Sequence, residues 1–211
     1  MPHCHKIQNW EMSEYEDSAA HRSYRHIRAA AAIEKHLRDN CPGIEVKTED
    51  AFKTISSIFD KTICDGYHFL ATKAPKMFGK LYESTNQESH FASLVPKLSG
   101  IFRRRLLPSI LEFDPDVIIT THPFVTEMIS CLKEDGKVSA LLLCVMTDYG
   151  PHKSWVSPAV DAYIVSNEDM METMVRHMGV PREKIFPFGI PVHDVFFEKA
   201  DRQAILRELG L

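Results

Sequence analysis

The sequence predicts an α/β protein in which a parallel sheet carries helices on both faces. From about residue 115 onward, short and almost wholly apolar runs alternate with segments that have helical spacing. A strand of a parallel sheet is buried on both faces, so it appears in the sequence as a continuous apolar run. Strands that alternate with helices in this way form βαβ units, which build a parallel sheet.

Four apolar runs in this half are predicted strands. They are rich in aliphatic residues and cover residues 116–121, 140–146, 161–165 and 185–188. Three further segments are predicted helices, each closely followed by a glycine that can end it, and they cover residues 124–133, 168–178 and 202–209. Asn167 is the expected N-cap of the second helix, because its side chain can accept a hydrogen bond from the first turn.

The first half contains one strong helix and one short strand. Residues 27–38 are rich in alanine and place their larger apolar residues on one face, and residues 44–47 form a short strand after a Pro-Gly turn. Residues 52–112 are mostly amphipathic and carry no strand signal, so we predict a helical insert there.

The beginning of the chain does not fit this pattern well. A doubly wound sheet opens with a buried strand, a tight turn and the first helix, but residues 1–24 are polar and acidic. Either the opening strand is the weakly apolar stretch Lys6–Trp10, or the strand is absent and residues 1–24 are a divergent segment.

Composition and charge exclude several classes of protein. Of the 211 residues, 44% are hydrophobic and 26% are charged, which is ordinary for one globular domain. Lys and Arg number 25 against 29 Asp and Glu, and the net charge of −4 argues against a nucleic-acid binder. Five scattered cysteines indicate neither a disulfide framework nor a zinc knuckle, so a reducing cytosol fits best. No apolar run is long enough to span a membrane, and the first ten residues lack the apolar core of a signal peptide, so we expect neither feature.

Polar side chains follow the predicted strands at the edge where open α/β sheets bind ligands. His122 follows the strand at 116–121, and Asp148 and His152 follow the strand at 140–146. These groups suit zinc or iron, but without a dense ligand motif we predict no metal site, and a polar loop with a structural Asp is the alternative. Trp155, in the same loop, is either a lid over the core or a flat surface for a sugar or a lipid.

Two further features have both a functional and a plain interpretation. His26 precedes the predicted helix at 27–38, where the helix dipole lowers the pKa of a histidine and suits a neutral general base. The alternative is a solvated surface histidine. Arg103, Arg104 and Arg105, flanked by apolar residues, either dock on an anionic membrane or form a solvated helix face.

Seven segments together carry a family resemblance. They are residues 26–37 (HIRAAAAIEKHL), 75–85, 114–124 (DPDVIITTHPF), 145–155 (VMTDYGPHKSW), 161–169, 178–196 and 202–211. In this order they resemble the monogalactosyldiacylglycerol synthase and processive diacylglycerol glucosyltransferase family, over nearly the whole chain.

The resemblance implies a GT-B glycosyltransferase with two Rossmann-like domains. The amino-terminal domain binds diacylglycerol and touches an anionic membrane surface, and the carboxy-terminal domain holds a UDP-sugar. Such an enzyme transfers a hexose from the UDP-sugar to diacylglycerol, which implies a cytoplasmic protein at the membrane periphery. No metal or cofactor is implied for the amino-terminal half.

The resemblance also implies roles for individual residues. His26 matches the family's histidine that deprotonates the acceptor, and Asp148, His152 and Trp155 match the loop that lines the acceptor side of the cleft. His122 is expected to bind substrate beside them. The arginines at 103–105 would contact the membrane.

Two departures from the family pattern bear on activity. Where the family has glycines before the histidine, this chain has Ser23, Tyr24 and Arg25, and the buried strand ahead of them is expected to be missing. The chain also stops at Leu211, where the family's donor domain would begin. We therefore expect residues 25–197 to form the acceptor domain and 198–211 to start the hinge, and the chain to be inactive without a donor domain.

Two other hypotheses stay open at this stage. One is a non-catalytic remnant or partner module of the same family that still binds lipid, which the two changes at the front of the chain favour. The other is a GT-B-shaped enzyme of another class, such as a nucleotide-sugar epimerase, which should ignore anionic lipid.

Overall fold

The computed structural model of the chain describes residues 5–11, 24–56, 94–197 and 202–210. Its strands are β1 (His5–Glu11), β2 (Ile44–Asp50), β3 (Val117–Thr120), β4 (Leu141–Val145), β5 (Ala162–Ile164) and β6 (Ile185–Phe186). They form one six-stranded sheet in the order β2-β1-β3-β4-β5-β6. Every neighbouring pair is parallel.

Helices connect these strands. Among the described residues they are α1 (Tyr24–Asn40), α2 (Ala51–Ser56), α3 (Leu94–Phe113), α4 (Pro123–Glu134), α5 (Glu168–Met178) and α6 (Arg202–Glu208). Three short 3-10 turns lie at Lys153–Trp155, Arg182–Lys184 and Asp194–Phe196. The predicted α/β class is therefore confirmed.

Helices cover both faces of the sheet, and each face has its own core. On one face Ile7, Ile119 and Val145 are buried against Ile33 and Leu37 of α1. On the opposite face, a larger cluster joins the sheet to α3, α4 and α5 through side chains that are almost fully buried: Leu106, Ile118, Leu132, Leu142 and Met174. Burial on both sides is the reason why the central strands appear in the sequence as continuous apolar runs.

The helix predicted at 168–178 coincides with α5, because both of its ends are encoded locally. The side chain of Asn167 accepts a hydrogen bond from the backbone N–H of Met170 at 2.9 Å, which caps the first turn. Gly179 follows the helix with a φ of +69°, a left-handed conformation that glycine adopts without steric cost.

The expectation that the opening strand is missing is wrong. The stretch around Lys6–Trp10 forms β1, which lies inside the sheet between β2 and β3. Its central residues are buried although two of them are polar: Gln8 and Asn9 have no exposed surface. Asn9 donates from its side-chain amide to the carbonyl oxygen of Ala30 at 2.9 Å. Such hydrogen bonds offset the cost of burying amides, and the polar residues hide the strand from a hydrophobicity pattern.

The first helix also begins earlier than predicted. Because α1 starts at Tyr24, His26 lies in its first turn and not ahead of it. Of the helical insert predicted at 52–112, α3 and most of α2 lie among the described residues, and residues 57–93 lie outside them. The domain boundaries expected near residues 25 and 197 remain predictions.

In the part of the chain that the structure describes, no helix combines the length and the apolar character needed to cross a membrane.

Candidate active site at the carboxyl edge of the sheet

Three segments meet at the carboxyl edge of the sheet. The first turn of α1 supplies His26, the connection after β3 supplies Thr121 and His122, and the connection after β4 supplies Thr147 and Asp148. Residues separated by about a hundred positions in the chain are brought together because parallel strands end at the same edge. The structure thus brings His26, His122 and Asp148 together at one edge of the sheet.

His26 is held by two oxygen atoms on the same side of its ring. Its Nδ1 lies 2.6 Å from the carbonyl oxygen of Thr121 and 2.8 Å from the hydroxyl oxygen of Thr147. A carbonyl oxygen can only accept a hydrogen bond, so Nδ1 carries the hydrogen. In the neutral ring Nε2 then has a lone pair and can accept a proton.

The surroundings of His26 favour its neutral form. The residue is 7% exposed, and this burial is the largest cause of a lowered pKa. The charge of Arg25 also lowers the pKa of His26, whereas the hydrogen bond to Thr121 and the charge of Asp148 raise it. The alternative of a solvated surface histidine does not fit this burial. The ring is therefore an unprotonated imidazole near neutral pH.

His122 forms a second neutral imidazole next to the first. The two ring centroids are 4.7 Å apart, and the rings meet edge to face at 70°. Nδ1 of His122 accepts the backbone N–H of Phe124 at 3.2 Å and caps α4, so the hydrogen of the ring is on Nε2. Burial, followed by the neighbouring His26 and Arg25, lowers the pKa of His122 to about 3. The pair thus combines one ring nitrogen that can take a proton with one that can donate a hydrogen bond.

Asp148 links the first turn of α1 to the core. One carboxylate oxygen lies 2.7 Å from Nη1 of Arg25, and the other accepts the indole N–H of Trp155 at 2.9 Å. Trp155 is 1% exposed and belongs to the larger core cluster, so of its two interpretations the structure agrees with the lid over the core. Its ring centroid lies 6.1 Å from that of His26.

His152 caps the 3-10 turn that carries Trp155. Its Nδ1 accepts the backbone N–H of Ser154 at 3.1 Å and lies 2.8 Å from the hydroxyl of the same residue. Its expected contact with substrate remains a prediction. Within residues 5–11, 24–56, 94–197 and 202–210, no group of three or more His, Cys, Asp or Glu side chains is arranged to hold a metal ion.

The three arginines of α3 differ in their surroundings. Arg103 lies 3.5 Å from the carboxylate of Asp135, Arg104 is exposed, and Arg105 is partly buried. A role of this cluster at a membrane surface stays a prediction.

Sequence reasoning missed the residues that hold the site together. Thr147 directly follows a buried apolar run, and a threonine at that place is the available signal for its hydroxyl contact. Thr121 contributes its backbone carbonyl oxygen, which has no signature in the sequence. In the sequence Arg25 is only a departure from the family's glycine, and its ion pair with Asp148 appears first in the structure. A contact between residues 25 and 148 has no local signature in the sequence.

Comparison with known proteins identifies the family. A family model described as monogalactosyldiacylglycerol (MGDG) synthase matches residues 26–192. The processive diacylglycerol beta-glucosyltransferase of Staphylococcus carnosus (strain TM300) is 35% identical over 178 residues, which are 83% of this chain and 44% of that protein. The protein of the same name from Bacillus cereus (strain B4264) is 28% identical over 198 residues, 91% of this chain and 48% of that protein.

One solved structure is also similar, the apo form of the lipopolysaccharide outer core galactosyltransferase WaaB. It has a TM-score of 0.49 and 11% sequence identity, and the match covers 86% of this chain and 44% of that one. The chain spans about half the length of the curated relatives it matches. The family match runs from His26 through the loop of Asp148 to residue 192, which is most of the chain. The chain therefore belongs to the monogalactosyldiacylglycerol synthase family of glycosyltransferases.

Proposed function

We propose that this chain is the acceptor-side half of an enzyme that transfers a hexose from a UDP-sugar to diacylglycerol. The observation that carries the proposal is the buried neutral His26, whose Nδ1 hydrogen is directed at the Thr121 carbonyl oxygen. The relatives' names supply the acceptor, since they describe transfer to diacylglycerol. His122, Asp148, His152 and Trp155 surround or support this position in the proposal.

The proposed reaction is a direct displacement. Nε2 of His26 takes the proton of the acceptor hydroxyl while the hydroxyl oxygen attacks the anomeric carbon of the sugar. The bond between that carbon and the UDP oxygen breaks, UDP leaves with the electron pair, and the anomeric configuration inverts. The imidazolium that forms keeps its hydrogen bond from Nδ1 to the Thr121 carbonyl oxygen, a bond that strengthens when the donor becomes charged.

A second lobe completes the enzyme in this proposal, and it holds the UDP-sugar. The chain spans about half the length of its relatives, which leaves room for such a lobe in a protein of their size. The last described segments expose large apolar side chains: Phe188, Val195, Phe196, Phe197 and Leu209. Neighbouring exposed apolar side chains, such as those of Val195, Phe196 and Phe197, are typical of a surface that meets another domain. Without that lobe the chain is expected to be inactive.

The proposal places the acceptor lobe on an anionic membrane at its cytoplasmic face, with the exposed Arg104 near the lipid. The hypothesis of a non-catalytic remnant was based partly on a missing opening strand. Because β1 is present in the sheet, that reason is removed, and the catalytic interpretation is the one we retain.

Vesicle flotation tests the acceptor side of the proposal. The chain is mixed with phosphatidylcholine vesicles that contain diacylglycerol, anionic lipid, both or neither. We expect most protein on vesicles with both, and transfer from UDP-hexose to remain undetectable with the chain alone. Equal flotation on all four vesicle types would contradict the acceptor assignment, and sugar transfer by the chain alone would contradict the need for a second lobe.

A further inference from the structure

Two adjacent residues of α1 meet two adjacent residues of the loop after β4. Nδ1 of His26 lies 2.8 Å from the hydroxyl oxygen of Thr147, and Nη1 of Arg25 lies 2.7 Å from a carboxylate oxygen of Asp148. These two neighbouring contacts fix the first turn of the helix to the loop at two points. A helix turn fixed at two neighbouring residues can move less than one held by a single contact, and the ring of His26 moves with that turn.

The loop end of this junction is itself anchored in the core. The second carboxylate oxygen of Asp148 accepts the indole N–H of Trp155 at 2.9 Å, and that indole is 1% exposed. Each oxygen of the carboxylate thus already has a donor from the protein. Asp148 therefore contacts Arg25 and Trp155, which makes it part of the support of the site.

We propose that Arg25 is a positioning residue: through Asp148 and Trp155 it holds the first turn of α1 against the loop after β4 and so orients the ring of His26. The inference deepens the proposed function, on which it rests for the role of His26 as a base. The inference assigns a role to Arg25, which stands where the family resemblance implies glycine.

The charges around His26 make this role measurable. Arg25 faces the ring from its own helix, the neutral His122 faces it from the β3–α4 connection, and Asp148 faces it from the loop after β4. Arg25 lowers the pKa of His26 and Asp148 raises it. Neutralising the two partners one at a time should therefore move the pKa of His26 in opposite directions.

The ion pair lies at the border of the solvent. The side chain of Arg25 is 47% exposed and that of Asp148 is 27% exposed. Exposed pairs contribute little to stability, so variants of Arg25 are expected to fold. A change at His26 in such a variant then reports a local effect and not a loss of the fold.

The test is a pH titration of the full chain labelled with ¹⁵N-histidine, which reports the pKa and the protonated nitrogen of His26. Arg25→Gln is expected to raise the pKa and to reduce the share of rings with the hydrogen on Nδ1. Asp148→Asn should lower the pKa, and Arg25→Lys, which keeps the charge, should stay near the wild type. The control is Lys35→Gln, because Lys35 is a cation of the same helix that pairs with Asp194 at 3.3 Å.

The outcomes separate this inference from the proposed function. If Arg25→Gln leaves both the pKa and the tautomer of His26 unchanged, or changes them no more than Lys35→Gln does, the inference is wrong. If the expected shifts occur but no glycolipid synthesis is found with any donor lobe, Arg25 still positions His26 and the proposed reaction is wrong.

Discussion

The carbonyl oxygen of Thr121 lies 2.6 Å from Nδ1 of His26 and determines which nitrogen of that ring carries the hydrogen. The residues belong to different connections at the carboxyl edge of the sheet, after β3 and in the first turn of α1. Because the acceptor is the backbone oxygen of Thr121, replacing the side chain of Thr121 does not remove this contact with His26. The side chains around His26 can be replaced, and the predictions below use them.

The hydroxyl of Thr147 is the side-chain partner of His26. Replacing Thr147 by Val keeps the shape and removes the hydroxyl oxygen at 2.8 Å. We expect the free energy of unfolding to fall by about 1 kcal/mol, the usual net value of one hydrogen bond. Chemical denaturation measures this. Thr173→Val is the control, because the hydroxyl of Thr173 donates to the carbonyl oxygen of Asp169 in its own helix, and its loss should cost less. Equal losses in the two variants would show that the Thr147 contact adds nothing specific.

His122 is an N-cap, and this role can be separated from its acid–base properties. His122→Ala removes the acceptor for the N–H of Phe124 and should lower the free energy of unfolding by about 1 kcal/mol. His122→Asn supplies another capping side chain and should recover part of that loss. Thermal or urea unfolding of both variants checks the prediction. Equal loss in both would argue against the capping role.

The same histidine makes stability depend on pH. In the unfolded chain its pKa is near 6.5, but in the folded protein burial lowers the pKa to about 3. Between these two pH values His122 is protonated in the unfolded chain but neutral in the folded protein. The free energy of unfolding therefore falls as the pH is lowered from about 6.5. We expect His122→Asn to lose less stability than the wild type between about pH 7.5 and about pH 5.5, roughly one unit either side of the unfolded pKa. Equal losses of unfolding free energy in His122→Asn and in the wild type would contradict this pH-dependent role of His122.

Glu11 makes stability depend on pH with the opposite sign to that of His122. Burial, with Asp50 next in effect, raises the pKa of Glu11 from 4.5 to about 7. The folded state therefore holds a proton that the unfolded state releases, and stability falls as the pH rises through this interval. Glu11→Gln should gain stability relative to the wild type above the interval and not below it. The exposed Glu45→Gln serves as the control. A difference between Glu11→Gln and wild type that stays constant with pH would overturn this.

How far the sequence predicted the molecule depends on whether the signal is local. Helix α5 was predicted to the residue because Asn167 and Gly179 encode its ends. The sequence does not reveal strand β1, because Gln8 and Asn9 are buried through partners far away in the chain, which a hydrophobicity pattern does not detect. Local propensity identifies an element when its determinants lie within the element itself.

Some features of the candidate site can likewise be predicted from the sequence, and others cannot. His26, His122 and Asp148 could be grouped in advance, because residues after parallel strands share one edge of the sheet. The Thr121 carbonyl, the burial of Trp155 and the pairing of Arg25 with Asp148 depend on the tertiary arrangement. A backbone oxygen has no signature in a sequence. The sequence also does not show whether a tryptophan in a loop covers the core or faces the solvent.

The most direct measurement joins this chain to the part of the Staphylococcus carnosus relative that it does not match, and follows transfer of labelled hexose from a UDP-sugar to diacylglycerol. Binding of the UDP-sugar and of diacylglycerol vesicles is first verified for the fusion and for its His26→Ala variant. We expect the fusion to form hexosyl-diacylglycerol, and His26→Ala to lower kcat by roughly 100-fold or more, the scale of general base catalysis. A fusion that binds both substrates but forms no glycolipid, or a His26→Ala variant with unchanged kcat, would contradict the assignment of His26 as the base of an acceptor-side lobe.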